Sequence, residues 1–197
     1  MKRTTCVALA VLLVLLAASC STGANNLPEH HYAGAKTLAF ETVEEMEDFS
    51  KLIVKGSRQS GEETFVTTYN GMMLSGYVLS PFLITEVYKD VSGSLKEGDI
   101  ITILENEVYD KATNIVYHIG GYKKMVEGCD YLLFLDAANM NGLDYYVAAG
   151  VQFGTVSLQE DGRADPVRYR RGEDVYIEIE YDSYFPLWEA AKEKYAP

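Results

Sequence analysis

Apolar and polar positions divide this chain into zones with different expectations. Val7 to Leu16 is an unbroken apolar run, preceded by Lys2 and Arg3 and followed by the small residues Ala17, Ala18 and Ser19. A membrane-spanning helix wants about 20 apolar residues. The run is too short for that and has the build of a cleaved signal peptide over residues 1–19. Residues 20–37, "CSTGANNLPEHHYAGAKT", are small and polar with no apolar period, which predicts a flexible tether. The remainder, residues 38–197, is long enough for a single domain with its own core.

Within that domain the first period is helical. In "TVEEMEDFSKL" Thr42 stands three residues before Glu45, the spacing of a capping box, and Val43, Met46, Phe49 and Ile53 recur near one helical turn. From Leu52 the period shortens to that of strands: "KLIVKGSR", "ETFVTTY", "GYVLSPFLITEVYKD", "GDIITILENEV", "NIVYHIGG", "CDYLLFLDAA", "DYYVAAG", "GTVSL" and "DVYIEIEY". Turn signals separate them, with Asn-Gly in "NMNG" and a second loop in "EDGRADP". "YLLFL", Tyr131 to Leu135, is apolar on both faces and is the expected central strand. In "IITIL" one face is expected to enter the core, with the terminal helix over the other. That helix is read from "SYFPLWEAAKEKY", where Phe185, Trp188, Ala191 and Tyr195 repeat every three or four residues. The pattern predicts a mainly β domain: a closed or nearly closed antiparallel β-barrel with a short N-terminal helix and a C-terminal helix.

The signal ends in "AAS" followed by Cys20. This resembles the lipobox of bacterial lipoproteins, although Ala17 stands where leucine is more usual. The resemblance implies that the Cys20 thiol receives diacylglycerol and becomes the mature N-terminus. The expected location is extracytoplasmic, lipid-anchored to the bacterial cell membrane, or to the outer membrane where the source has one. Lys2 and Arg3 leave with the signal and no acid goes with them, so the net charge falls from −12 to −14. That balance opposes binding to nucleic acid and to anionic lipid, so membrane attachment is assigned to the acyl chains alone. Of the three cysteines, Cys6 leaves and Cys20 is acylated. Cys129 has no disulfide partner within the chain.

A second resemblance covers Val78 to Leu158. "FLITEVYKDVSGSLKEGDIITI", "GYKKMVEGCDYLLFLDAA" and "YYVAAGVQFGTVSL" are similar in order to the netrin-like domain of tissue inhibitors of metalloproteinases. The resemblance implies an OB-like barrel. Inhibition in that family needs an N-terminal cysteine held in a disulfide. Here Cys20 is expected to be acylated and the family's disulfide cysteines are missing, so the fold is implied more than the activity.

Candidate chemistry is sparse. His30 and His31 beside Glu29 invite a metal, but two ligands in a tether fix no coordination geometry. Cys129 and His118 form the one cysteine–histidine combination of the ordered region. They are read as a core thiol and a strand imidazole, because a nucleophile also needs a base in reach and a group to orient it. "DAANMNGLD" has neither the acids nor the flanking helices of a calcium loop and reads as a hairpin tip. No catalytic residue, metal or cofactor is called for. Fifteen tyrosines are unusual, and Tyr117, Tyr122, Tyr145 and Tyr146 around the middle strands are the candidate ligand face, since each offers a flat apolar ring and a polar tip. The reading is a monomeric, noncatalytic binding or assembly module whose partner is an envelope protein or glycan. The alternative is a protease-inhibitor-like module acting on an extracellular protease. Cys20→Ala should abolish incorporation of labelled lipid and leave an unprocessed or mis-processed precursor. Normal maturation and detergent partitioning of that variant would remove the anchor.

Overall fold

The computed structural model describes residues 28–140, 142–159, 170–171, 174–175 and 178–196. The signal peptide, Cys20 and "EDGRADP" lie outside them. The chain is mainly β. Its elements are β1 (Glu29–Ala33), α1 (Val43–Phe49), β2 (Leu52–Arg58), β3 (Glu63–Tyr69), β4 (Met72–Asp90), β5 (Ile100–Glu105), β6 (Glu107–Asp110), β7 (Ile115–Ile119), β8 (Asp130–Met140), β9 (Leu143–Ala148), β10 (Thr155–Ser157), β11 (Arg170–Arg171), β12 (Asp174–Val175) and α2 (Glu178–Tyr195).

Five strands pair into a closed ring. β2 pairs antiparallel with β4, β4 with β5, β8 with β9 and β2 with β8, while β5 and β9 run parallel. Alternation along the strands splits the core in two. Leu52, Val54, Phe82, Ile84, Ile101, Ile103, Tyr131, Leu133 and Leu135 pack inside the ring with Cys129. Ile53, Leu132 and Phe134 point outward and meet Val43 and Met46 of α1 and Tyr184, Leu187, Trp188 and Ala191 of α2. All five residues of "YLLFL" are fully buried, as their apolar character on both faces predicts. The terminal helix therefore covers β8 and β10, not the outer face of β5.

Local chemistry explains the joints. Thr42 Oγ1 accepts from the Glu45 N–H at 3.2 Å, while Glu45 Oε2 reaches back to the Glu41 N–H at 2.9 Å, one residue beyond the usual box. Trp188 Nε1 donates to the Phe153 carbonyl at 3.1 Å, holding α2 to the loop before β10. β4 is long enough to serve successive partners on one edge, β3 as far as Leu79 and β2 from Phe82. Pro81 falls in the gap, where that edge demands no ladder donor. At Gly56, beside a register shift in the β2–β4 pairing, an added Cβ would lie 2.0 Å from the Leu83 carbonyl oxygen. Only glycine permits that approach.

Three further expectations are corrected. The coil expected over residues 21–37 contains β1, which pairs parallel with β7. "GDIITILENEV" breaks at Asn106 into β5 and β6, which belong to different sheets. "DVYIEIEY" is a strand only at Asp174–Val175, and from Glu178 it is helix. Its period of two is overridden by continuity with the α2 residues that cover β8, and acids in a helix's first turn suit the dipole.

Leu133→Asp should prevent folding, because an unpaired carboxylate in the ring costs several kcal/mol against a total of about 5–15 kcal/mol. Far-UV circular dichroism and thermal melting decide it, and an unchanged melting temperature would take β8 out of the core.

Candidate functional site

The ring interior turns polar at one end. Inward positions of β5 run Ile101, Ile103, Glu105; those of β2 end at Arg58, and β4 contributes Ser80 beside Phe82 and Ile84. Glu105 is fully buried. Its Oε1 accepts from Arg58 Nε at 3.2 Å and from Ser80 Oγ. Its Oε2 accepts from the Met125 N–H at 2.6 Å and from Tyr122 Oη at 3.1 Å. Four donors satisfy the carboxylate. Burial nevertheless raises its pKa, against the lowering pull of the hydrogen bonds and the Arg58 charge.

Arg58 is itself 5% exposed and carries the network outward to Glu62 and, at 3.8 Å, to Glu127. Lys124 Nζ closes on both Glu62 oxygens at 2.8 and 2.9 Å. Burial lowers the Lys124 pKa and the Arg58 charge adds to that. Tyr131, whose Oη accepts from the Val126 N–H at 2.7 Å, is pushed up to about 12 chiefly by burial. Tyr122 is driven well above its ordinary range by burial and then by the Glu105 charge.

A second network adjoins the first through the loop after β7. The buried His118 places Nδ1 at 2.9 Å from the Tyr122 carbonyl and 3.1 Å from Glu107 Oε2. Two acceptors facing Nδ1 place a proton on that atom, and Nε2 lies 2.9 Å from His30 Nδ1. The two imidazoles stack with centroids 5.2 Å apart. Glu107 also accepts from the Lys124 N–H at 3.0 Å. Burial pushes its pKa up, but the hydrogen bonds and charges of His118 and Lys124 outweigh that and the net shift is downward.

These groups are engaged with one another. The hollow beside Tyr122, bounded by Gln152, Thr155 and Trp188, measures about 10 Å³, roughly the space of one water. A groove of about 560 Å³ lies between Phe40–Glu44 and α2 and is lined by neither network.

The tyrosines do not form one face. Tyr122 is buried and belongs to the Glu105 network, so it cannot meet a ligand from solvent. Tyr117 is half-buried on β7 with its ring edge-on to His31 at 6.0 Å. Tyr145 and Tyr146 are both half-buried on β9 in the other sheet, and Tyr146 packs against the ring interior. Cys129 packs among the apolar side chains of the ring, while His118 engages His30, Glu107 and Tyr122. His30 is held by β1 rather than free in a tether; His31 stays exposed beside Glu29. Among the described residues, no group of three or more His, Cys, Asp or Glu is arranged to hold a metal ion. Sequence reasoning missed Arg58, Ser80 and Glu105, although a charge at the inward register of Ile101 and Ile103 was a visible signal.

No protein-family model matches the chain, and none of the curated proteins matches it either.

Arg58→Ala should cost about 3–5 kcal/mol at pH 7, since it strips a dry carboxylate of its counter-charge. The folded pKa of Glu105, already raised, should rise further. The folded state then binds more protons than the unfolded one above 4.5, and stability falls as pH rises through that window. Urea midpoints at pH 5 and pH 7 test this. The variant should recover part of its loss at pH 5, and an equal loss at both would show that Glu105 is not the group left unpaired.

Proposed function

We propose that this chain is a lipid-anchored extracytoplasmic binding or assembly module on an OB-like barrel, docking an envelope protein or glycan and doing no catalysis of its own. The observation that carries the reading is the order of the ring. Numbered along the chain, β2, β4, β5, β8 and β9 are strands one to five, and around the ring they run one, two, three, five, four. The single parallel pair joins the third and fifth. This order agrees with that of OB barrels and supports the reading. In such barrels the outer surface of strands two and three is the usual ligand platform.

Here that surface is apolar. Leu83 pairs with Ile100 and Pro81 with Thr102 across β4 and β5, all at outward register, and Leu104 pairs with Val147 of β9. Ile100 is 65% exposed. Tyr145, two positions before Val147, extends the strip, and of the four tyrosines singled out from sequence it fits a ligand platform best. An apolar strip with an aromatic edge suits a sugar ring or a partner's apolar side chains.

A photo-crosslinking residue at Leu104 or Tyr145, in the full lipidated chain on its own membrane, should capture a defined envelope protein or glycan. A control at Glu189 should not. Capture of a protease would support the inhibitor alternative, and identical products at all three positions would overturn the platform.

A further inference from the structure

The β3–β4 hairpin is not absorbed by the binding platform. Every residue of β3 is exposed, and Tyr69, Met72 and Leu74 are 63%, 67% and 66% exposed. Phe65 and Tyr77 stack across the strands with centroids 4.9 Å apart. Residues 64–79 contain no Asp, Glu, Lys or Arg, in a chain that is 23% charged. Asn70 and Gly71, with φ of 51° and 76°, form a tight two-residue tip between Tyr69 and Met72. An exposed, uncharged edge hairpin invites association unless something covers it.

The start of the described chain points to what covers it. β6 leaves the ring where Glu105 pairs with Val78 and advances toward the hairpin tip: a Cβ on Gly76 would lie 2.7 Å from Val108 Cγ1. The β6–β7 turn is carried the same way. β1 begins at that turn, the Glu29 N–H donating to the Asn114 carbonyl at 3.0 Å. Pro28 is eight residues from Cys20, a link spanning at most about 30 Å when extended. Pro28, where the described chain begins, and the uncharged tip therefore lie on the same side of the domain.

We propose that the tip of the β3–β4 hairpin, Tyr69, Met72 and Leu74, inserts into the interfacial region of the bilayer that holds the Cys20 acyl chains, as a second contact that orients the domain. This rests on the lipid-anchored reading. Tyrosine and asparagine suit the headgroup level, and methionine and leucine suit the acyl boundary below it. The absence of acids from residues 64–79 spares the tip the repulsion that the rest of this acidic chain has from anionic headgroups.

The test uses the full lipidated chain in phosphatidylcholine vesicles. An environment-sensitive fluorophore is placed on Met72→Cys or, as control, Glu189→Cys, each combined with Cys129→Ala. Spin-labelled lipids should quench the fluorophore at 72 several-fold more than at 189, and Tyr69→Asp with Leu74→Asp should abolish the difference. Equal quenching at both positions in a protein whose N-terminal peptide carries diacylglycerol by mass spectrometry overturns the hairpin proposal alone. A peptide without diacylglycerol overturns the anchor, and quenching at 72 in that protein still supports insertion. Vesicle-bound dimers that dissociate on the Tyr69 and Leu74 substitutions, with 72 unquenched, would assign the hairpin to a second copy and overturn the proposal.

Discussion

Between Tyr131 and Leu135 the chain has neither a free face nor a free edge. Tyr131, Leu133 and Leu135 fill the ring while Leu132 and Phe134 carry the helices. β2 pairs along one side of β8, and β10 followed by β9 along the other. Two apolar layers that share no other strand so completely are joined through these residues. A one-residue slip would exchange the two sets of side chains and mismatch both layers at once. Register elsewhere follows from this: β2 is aligned by β8, β4 by β2, and β5 by β4.

Against that apolar strand stands a charged cluster at one end of the same ring. Burying Arg58 and Glu105 together costs desolvation that their attraction and the surrounding hydrogen bonds have to offset. What the pair supplies is direction. Arg58 from β2, Ser80 from β4 and Glu105 from β5 meet in one arrangement of the three strands, and Tyr122 with Met125 brings in the loop after β7. Apolar side chains in those positions would tolerate several packings. The His118–Glu107–His30 cluster extends the same logic to β1, giving a short polar strand side-chain contacts that its backbone pairing alone would not provide.

Local features were legible and distant ones were not. The strand runs, the capping box at Thr42, the hairpin after Met140 and the double-sided burial of "YLLFL" follow from spacing within a few residues. β1 was not legible, because "EHHYA" has no apolar period and becomes a strand only through β7, far along the chain. "DVYIEIEY" alternates like a strand, and only its continuation into the helix over β8 decides otherwise. Of the tyrosines, residue type could not say which hydroxyl would find a buried carboxylate, and Tyr122 took that role. Glu105 lay between these cases: its position broke an apolar alternation, but its partner Arg58 is 47 residues upstream.

Ring closure also sets an order in time. β2 must wait for β8, and β5 for β9, so a chain emerging N-terminus first has the β2–β4–β5 ribbon available long before the strands that complete it. Until Leu135 arrives, that ribbon has two open edges, and one face carries Phe82, Ile84, Ile101 and Ile103 uncovered. Non-local closure of this kind is slow relative to hairpin formation. The window is dangerous for an edge-rich intermediate, and charged side chains along such a ribbon, as at Lys55, Glu86 and Lys89, disfavour edge-to-edge pairing of two half-made copies.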